Sequence, residues 1–122
     1  KVVGVLDWEL ATLGDPLMDL GGALPYWVQA DHDWAFRRFR LQPSDAPGMI
    51  TRDEIVRYYA GRSGLKPEHW AFYEVFGLFR LAVIAQQIYY RYHHKQTRNP
   101  RFKRFWVPVN LLERRCRRIM RG

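Results

Sequence analysis

Cysteine is almost absent from this 122-residue chain, with Cys116 the single one. One thiol excludes an internal disulfide framework, and a reducing cytoplasm is the simple expectation. Thiol catalysis is also disfavoured, because no histidine stands at a recognisable motif spacing from Cys116. No signal-peptide pattern opens the sequence, and no long apolar run goes uninterrupted. The most apolar region, residues 70–90, is broken by Glu74, Arg80, Gln86 and Gln87, so no membrane span is expected. A zinc site is not expected either. His32 and His69 are isolated, and His93 and His94 are adjacent, so they diverge on a helix and miss the i, i+4 ligand spacing. Repeats and low-complexity tracts are lacking beyond the doublets Arg114-Arg115 and Arg117-Arg118.

Each end of the chain is short of one sign of charge. Residues 1–33 hold six acids against Lys1, whereas residues 91–122 hold eleven Lys or Arg against Glu113. The net charge is +8. Such a split points to an anionic partner. The competing reading is a solvated basic helix surface facing an acidic region elsewhere, since charge speaks to association and not to fold. Apolar residues at 48% and aromatics at 16% exclude a disordered chain. A length of 122 residues allows one domain or less, with a modest core.

The stretch Val2–Leu20 organises what is present. Val2, Val3, Val5 and Leu6 form a β-branched apolar run that reads as a short buried strand. It breaks at Asp7-Trp8-Glu9, where two carboxylates spaced two apart share one face of an extended chain. Gly14-Asp15-Pro16 then has the grammar of a helix start: a turn, a capping side chain, and a proline where no N–H is needed. Strand, carboxylate pair, turn and capped helix together make a site suited to gripping a cation.

The rest of the chain reads as helices. The first runs from Pro16 towards Leu24, with Gly21-Gly22 marking close approach by another backbone and Pro25 stopping it. A short helix follows around Trp34–Arg40, then a loop over residues 42–49 rich in proline and glycine. Thr51-Arg52-Asp53-Glu54 is a capping box, and the helix it opens ends near Gly61–Gly64. The longest segment starts at Pro67 and reaches about His94. Residues 75–85 within it are apolar nearly all round, which places it at the centre of its domain. Arg80 is the exception there, and a carboxylate from the first segment is its expected partner. Thr97–Lys103 is a basic loop. The last helix spans Arg104–Met120 with Phe105, Val109, Leu112, Cys116 and Ile119 as its inner stripe.

Val5-Leu6-Asp7-Trp8-Glu9, followed by Gly14-Asp15-Pro16 and Asp19-Leu20, resembles the closing motif of the aminoglycoside phosphotransferase family. These are kinase-like enzymes directed at small molecules. Residues 48–54 with Tyr59-Ala60, and then Trp70-Ala71-Phe72-Tyr73, also resemble that family. The nearest branch is that of the phosphotransferase domains associated with acyl-CoA dehydrogenases. The resemblance implies a mainly α fold: the helical C-lobe portion of a kinase-like protein, carrying a short N-terminal β-strand or hairpin remnant. Residues 1–122 would form a single unit. The family's His-Gly-Asp-x-x-x-x-Asn motif, its glycine-rich loop and its small-lobe lysine do not occur in this sequence. The chain is therefore expected to be inactive alone, with the N-terminal portion of the same protein as its first partner. An exposed edge on Val2–Leu6 would offer a route to oligomers.

The implied activity is ATP-dependent phosphorylation of a small-molecule hydroxyl, with Mg²⁺ and ATP as cofactors. Asp7 takes the metal-ligand position, like the aspartate of the Asp-Phe-Gly motif in protein kinases. Glu9 is a second or water-mediated ligand, or else makes a plain salt bridge. Trp8 walls the nucleotide site or packs in the core. Asp15 caps its helix, and Asp19 braces the neighbouring catalytic loop. Trp70, Tyr73 and Phe76 fall on adjoining turns and line either the acceptor pocket or the core. Acceptors across the family include aminoglycosides, choline-like alcohols and hydroxyacyl thioesters. The alternative function is a non-enzymatic basic module that binds nucleic acid or an acidic partner through residues 91–122. In that reading Tyr89, Tyr90, Tyr92, Phe102, Phe105 and Trp106 supply stacking faces.

Overall fold

The computed structural model describes residues 1–6, 11, 13–32 and 34–122. Five helices follow one another: α1 (Pro16–Ala23), α2 (Trp34–Arg38), α3 (Arg52–Ser63), α4 (Trp70–His93) and α5 (Trp106–Arg121). Short 3-10 turns at Leu24–Tyr26 and Pro100–Arg104 extend α1 and lead into α5. The fold is mainly helical, and no strand occurs among the described residues.

The strand expected at Val2–Leu6 does not form; residues 1–6 carry no regular structure, and Val3 is 95% exposed. A strand is completed by a neighbour's backbone, and no second strand is present among the described residues to supply one.

Local chemistry explains where the helices begin and end. Pro16 stands at the start of α1, and Asp15 accepts a hydrogen bond from the Leu17 amide at 2.9 Å. Pro25 converts the end of α1 into a 3-10 turn. At α3 the capping box is complete. The Glu54 amide donates to the Thr51 hydroxyl at 3.2 Å, while the Glu54 carboxylate accepts from the Thr51 amide at 2.6 Å. Donation from the Thr51 amide, and from its hydroxyl, holds the Glu54 carboxyl below its usual range. Gly64 closes the helix in the left-handed region at φ 72°. Thr51→Ala is expected to lower stability by about 1 kcal/mol, read as a fall in the urea midpoint at constant slope. α4 begins at Trp70, three residues later than Pro67, because His69 sits at φ 54° and breaks helical continuity. α5 starts at Trp106, since residues 100–104 tighten into the 3-10 turn capped by Asn99.

α4 is the central element, packed by α1 on one side and α5 on another. Leu78 is fully buried and forms the core with Ala82, Leu112 and Cys116, flanked by Phe36, Val75, Leu81 and Ile119. Burial pushes the Cys116 thiol above its ordinary range, in keeping with a packing role. The close approach expected at Gly21-Gly22 is present. A Cβ placed on Gly77 would fall 1.8 Å from the Gly21 carbonyl oxygen, and one on Gly21 would fall 2.5 Å from that of Tyr73. Glycine thus permits α1 and α4 to cross backbone against backbone.

Burial along α4 is uneven. Arg80 is exposed, with its guanidinium lying over Gly22. Asp15 and Asp19 do not pair with it, and Asp7 and Glu9, the other carboxylates of the first segment, lie outside the described residues. A long stem lets arginine cover apolar surface while keeping its charge wet. Nor is α4 buried all round: Phe72, Phe79, Val83 and Tyr90 remain exposed. By length and composition alone α4 is apolar enough to cross a bilayer. In this chain its Glu74 and its one glycine, Gly77, serve contacts with other helices.

Candidate functional site

Asp7, Trp8 and Glu9 lie outside the described residues, so the site is built from the elements around them. The nearest described anchor is the start of α1. Asp15 uses both carboxylate oxygens: Oδ1 accepts from the Leu17 amide, and Oδ2 accepts from the Tyr73 hydroxyl at 2.7 Å. One side chain therefore caps α1 and ties it to α4. Tyr73 stacks on Trp70, with centroids 5.8 Å apart, and meets Phe72 edge-on at 5.3 Å. Donation to the Asp15 carboxylate raises the Tyr73 hydroxyl above its ordinary value, because the bond is lost on ionisation.

The sign of the pH effect follows. A raised folded-state pKa means a contribution that is complete below the unfolded value, near 10, and fades as pH climbs through the higher folded value. Tyr73→Phe is expected to lower the melting temperature at pH 7, and the gap between variant and parent should close in strongly alkaline buffer. A gap that persists unchanged there would assign the loss to packing alone.

The other expected residues are placed as follows. Asp19 is exposed in the first turn of α1, where its charge complements the helix dipole. Trp70 and Phe76 are half-buried. Trp70 and Tyr73 are brought together with Asp15, which ties the aromatic pair on α4 to the motif helix. A groove of about 810 Å³ lies between α4 and α5, and Trp70, Tyr73 and Phe76 do not line it.

A charged cluster that sequence reading missed joins three helices. Arg52 at the start of α3 pairs with Glu74 on α4 at 3.2 Å, and Arg115 on α5 reaches the same Glu74 oxygen at 3.4 Å. The Arg115 guanidinium also lies over the Phe36 ring, 5.2 Å from its centroid. The Arg52 side chain is only 8% exposed, and its Nη2 has no hydrogen-bond partner among the described residues. Desolvation lowers its pKa to about 10, partly opposed by Glu74. The one signal in the sequence was an acid interrupting an apolar helix.

Asp7 and Glu9 are the hard oxygen donors that magnesium prefers. No group of three potential ligands occurs among the described residues. The described residues alone therefore do not make a metal site.

A model of the phosphotransferase enzyme family matches residues 1–67. Acyl-CoA dehydrogenase family member 10 of Mus musculus is 40% identical over 93 residues, covering 75% of this chain and 9% of its own length. Family member 11 of Rattus norvegicus is 36% identical over 95 residues, covering 75% and 12%. The probable acyl-CoA dehydrogenase IBR3 of Arabidopsis thaliana is 34% identical over 99 residues, again covering 75% and 12%. The chain thus spans only 9% to 12% of the length of these curated relatives. No solved structure matches it.

Proposed function

This chain belongs to the phosphotransferase enzyme family, and on that footing we propose that it forms part of an enzyme moving the γ-phosphoryl group of ATP to a small-molecule hydroxyl. The observation that carries the reading is the family match over residues 1–67, which contains Asp7-Trp8-Glu9 and Gly14-Asp15-Pro16. Within that stretch Asp15 caps α1 and bonds to Tyr73. In this reading Asp7 holds Mg²⁺, Glu9 approaches it directly or through water, and Trp8 walls the nucleotide. A bound ion would neutralise charge on the transferring phosphates. Asp15 and Tyr73 keep α1 registered on α4, so that the carboxylates before it hold their place. Asp19 braces the neighbouring catalytic loop. The catalytic base comes from outside these residues, and the chain alone does not turn over. Trp70, Tyr73 and Phe76 face the acceptor.

Among family acceptors we favour a hydroxyacyl thioester, because the matched relatives carry the name acyl-CoA dehydrogenase. Phosphoryl transfer by the full-length protein, with MgATP and a hydroxyacyl thioester, is the test. Asp7→Asn is expected to abolish transfer while helical circular dichroism is kept. Undiminished turnover in that variant overturns the proposal. Equal turnover of an aminoglycoside or choline would overturn the acceptor assignment alone.

A further inference from the structure

The groove between α4 and α5 lies on the far side of α4 from α1. Gly77 faces α1, and Phe79, two residues on, is turned about 200° round the helix. Apolar side chains form the floor, among them Ala82, Val109 and Cys116, while Phe79, Val83, Tyr90 and Met120 stand exposed along it. On α5 the lining runs from Val109 to Met120, about 16 Å or three helical turns. Beside it Arg114, Arg117, Arg118 and Arg121 surround a second depression, and Arg117 borders both. Spaced i, i+3, i+4 and i+7, these arginines share one face of α5. Among the described residues only Arg117 of the four has an acidic partner, Glu113.

We propose that this groove and its arginine flank form a docking site for an acidic amphipathic helix. Three turns of apolar trough fit the apolar stripe of a helix laid lengthwise. Arginines spread over two turns match acids repeated at the same spacing on the incoming helix. A fatty acid offers one carboxylate to four guanidiniums. A nucleic-acid strand would engage the arginines but leave the aliphatic floor wet. A second copy of this chain carries a net charge of +8 and would meet the arginine flank with like charge overall.

The test uses the full-length protein and a fluorescein-labelled synthetic helix of about four turns, with leucines at i, i+3, i+4 and i+7 and glutamates along one flank. Anisotropy is expected to show saturable binding that weakens about tenfold or more in Arg114→Glu/Arg121→Glu. Replacing the peptide's glutamates by lysines should restore binding to that variant. Val83→Lys should weaken binding without charge reversal on the flank. If Val83→Lys loses its helical circular dichroism, the charge exchange decides alone. Three results would each overturn the proposal. One is equal affinity for a peptide of the same composition in scrambled order. Another is indifference to the charge exchange. The third is no peptide binding, including the case where phosphatidylglycerol vesicles or a single-stranded oligonucleotide bind instead.

Discussion

Replacing Glu74 by Ala is expected to cost about 3–5 kcal/mol, the penalty for leaving buried charge without its counter-ion. For a small domain holding about 5–15 kcal/mol in total, that is a large share of the whole. Glu74 is the one acid paired with both Arg52 and Arg115 among the described residues, so its removal strands two cations at once. They are not equal. Arg115 is 24% exposed and lies over Phe36, so water and the ring still serve it. Arg52 is 8% exposed and already has one nitrogen without a partner among the described residues. Its depressed pKa, about 10, records that burial disfavours the charged form. The folded chain releases this proton more readily than the unfolded one, so the burial penalty is present in full below pH about 10. Glu74 offsets it throughout the neutral range. Glu74→Gln keeps the shape and removes the charge, and most of the loss should remain. Chemical denaturation of both variants measures this, and a change under about 1 kcal/mol in Glu74→Ala would show that water satisfies the arginines equally well.

Gly77→Ala is expected to destabilise the chain by about 1–3 kcal/mol, against its own helix propensity. Alanine improves a helix interior by about 1 kcal/mol over glycine when nothing else intervenes. At Gly77 the new carbon would fall 1.8 Å from the Gly21 carbonyl oxygen and 3.1 Å from Pro25, so α1 must lift away from α4. That movement would also pull Asp15 from Tyr73, since the bond spans the same two helices. Gly61→Ala is the matched control. Gly61 lies inside α3 with nothing within 4 Å of an added carbon, and there the substitution should raise stability by up to about 1 kcal/mol. Opposite signs for one chemical change, read as melting temperatures side by side, are the result to look for. If both positions gain, the helices do not cross as tightly as described.

Much of the helical order was legible because its signals are local. Asp15-Pro16, the Thr51–Glu54 box and Gly64 mark helix ends through bonds to neighbours in the chain. Even the contact at Gly21-Gly22 was foreseeable, because glycine pairs inside an apolar helix have few other uses. Three things were misread or missed for one shared reason. The Val2–Leu6 run has strand composition, yet a strand depends on a distant ladder. Arg80 and Arg52 look alike on paper, and only packing exposes the first and buries the second. The apolar length of α4 marks it as the central helix, yet does not tell that one flank of it faces an open groove.

By itself the sequence determined the family, the position of the carboxylate motif before α1, the caps, and the sequence of helices. Each depends on residue types at fixed short spacing, which the chain carries without being folded. Only the tertiary structure decided that Asp15 reaches Tyr73 across 58 residues, that Glu74 serves two arginines, and that a basic flank lies beside an apolar trough. Those juxtapositions come from how helices cross, and crossing is set by the fit of whole surfaces, which no short spacing encodes.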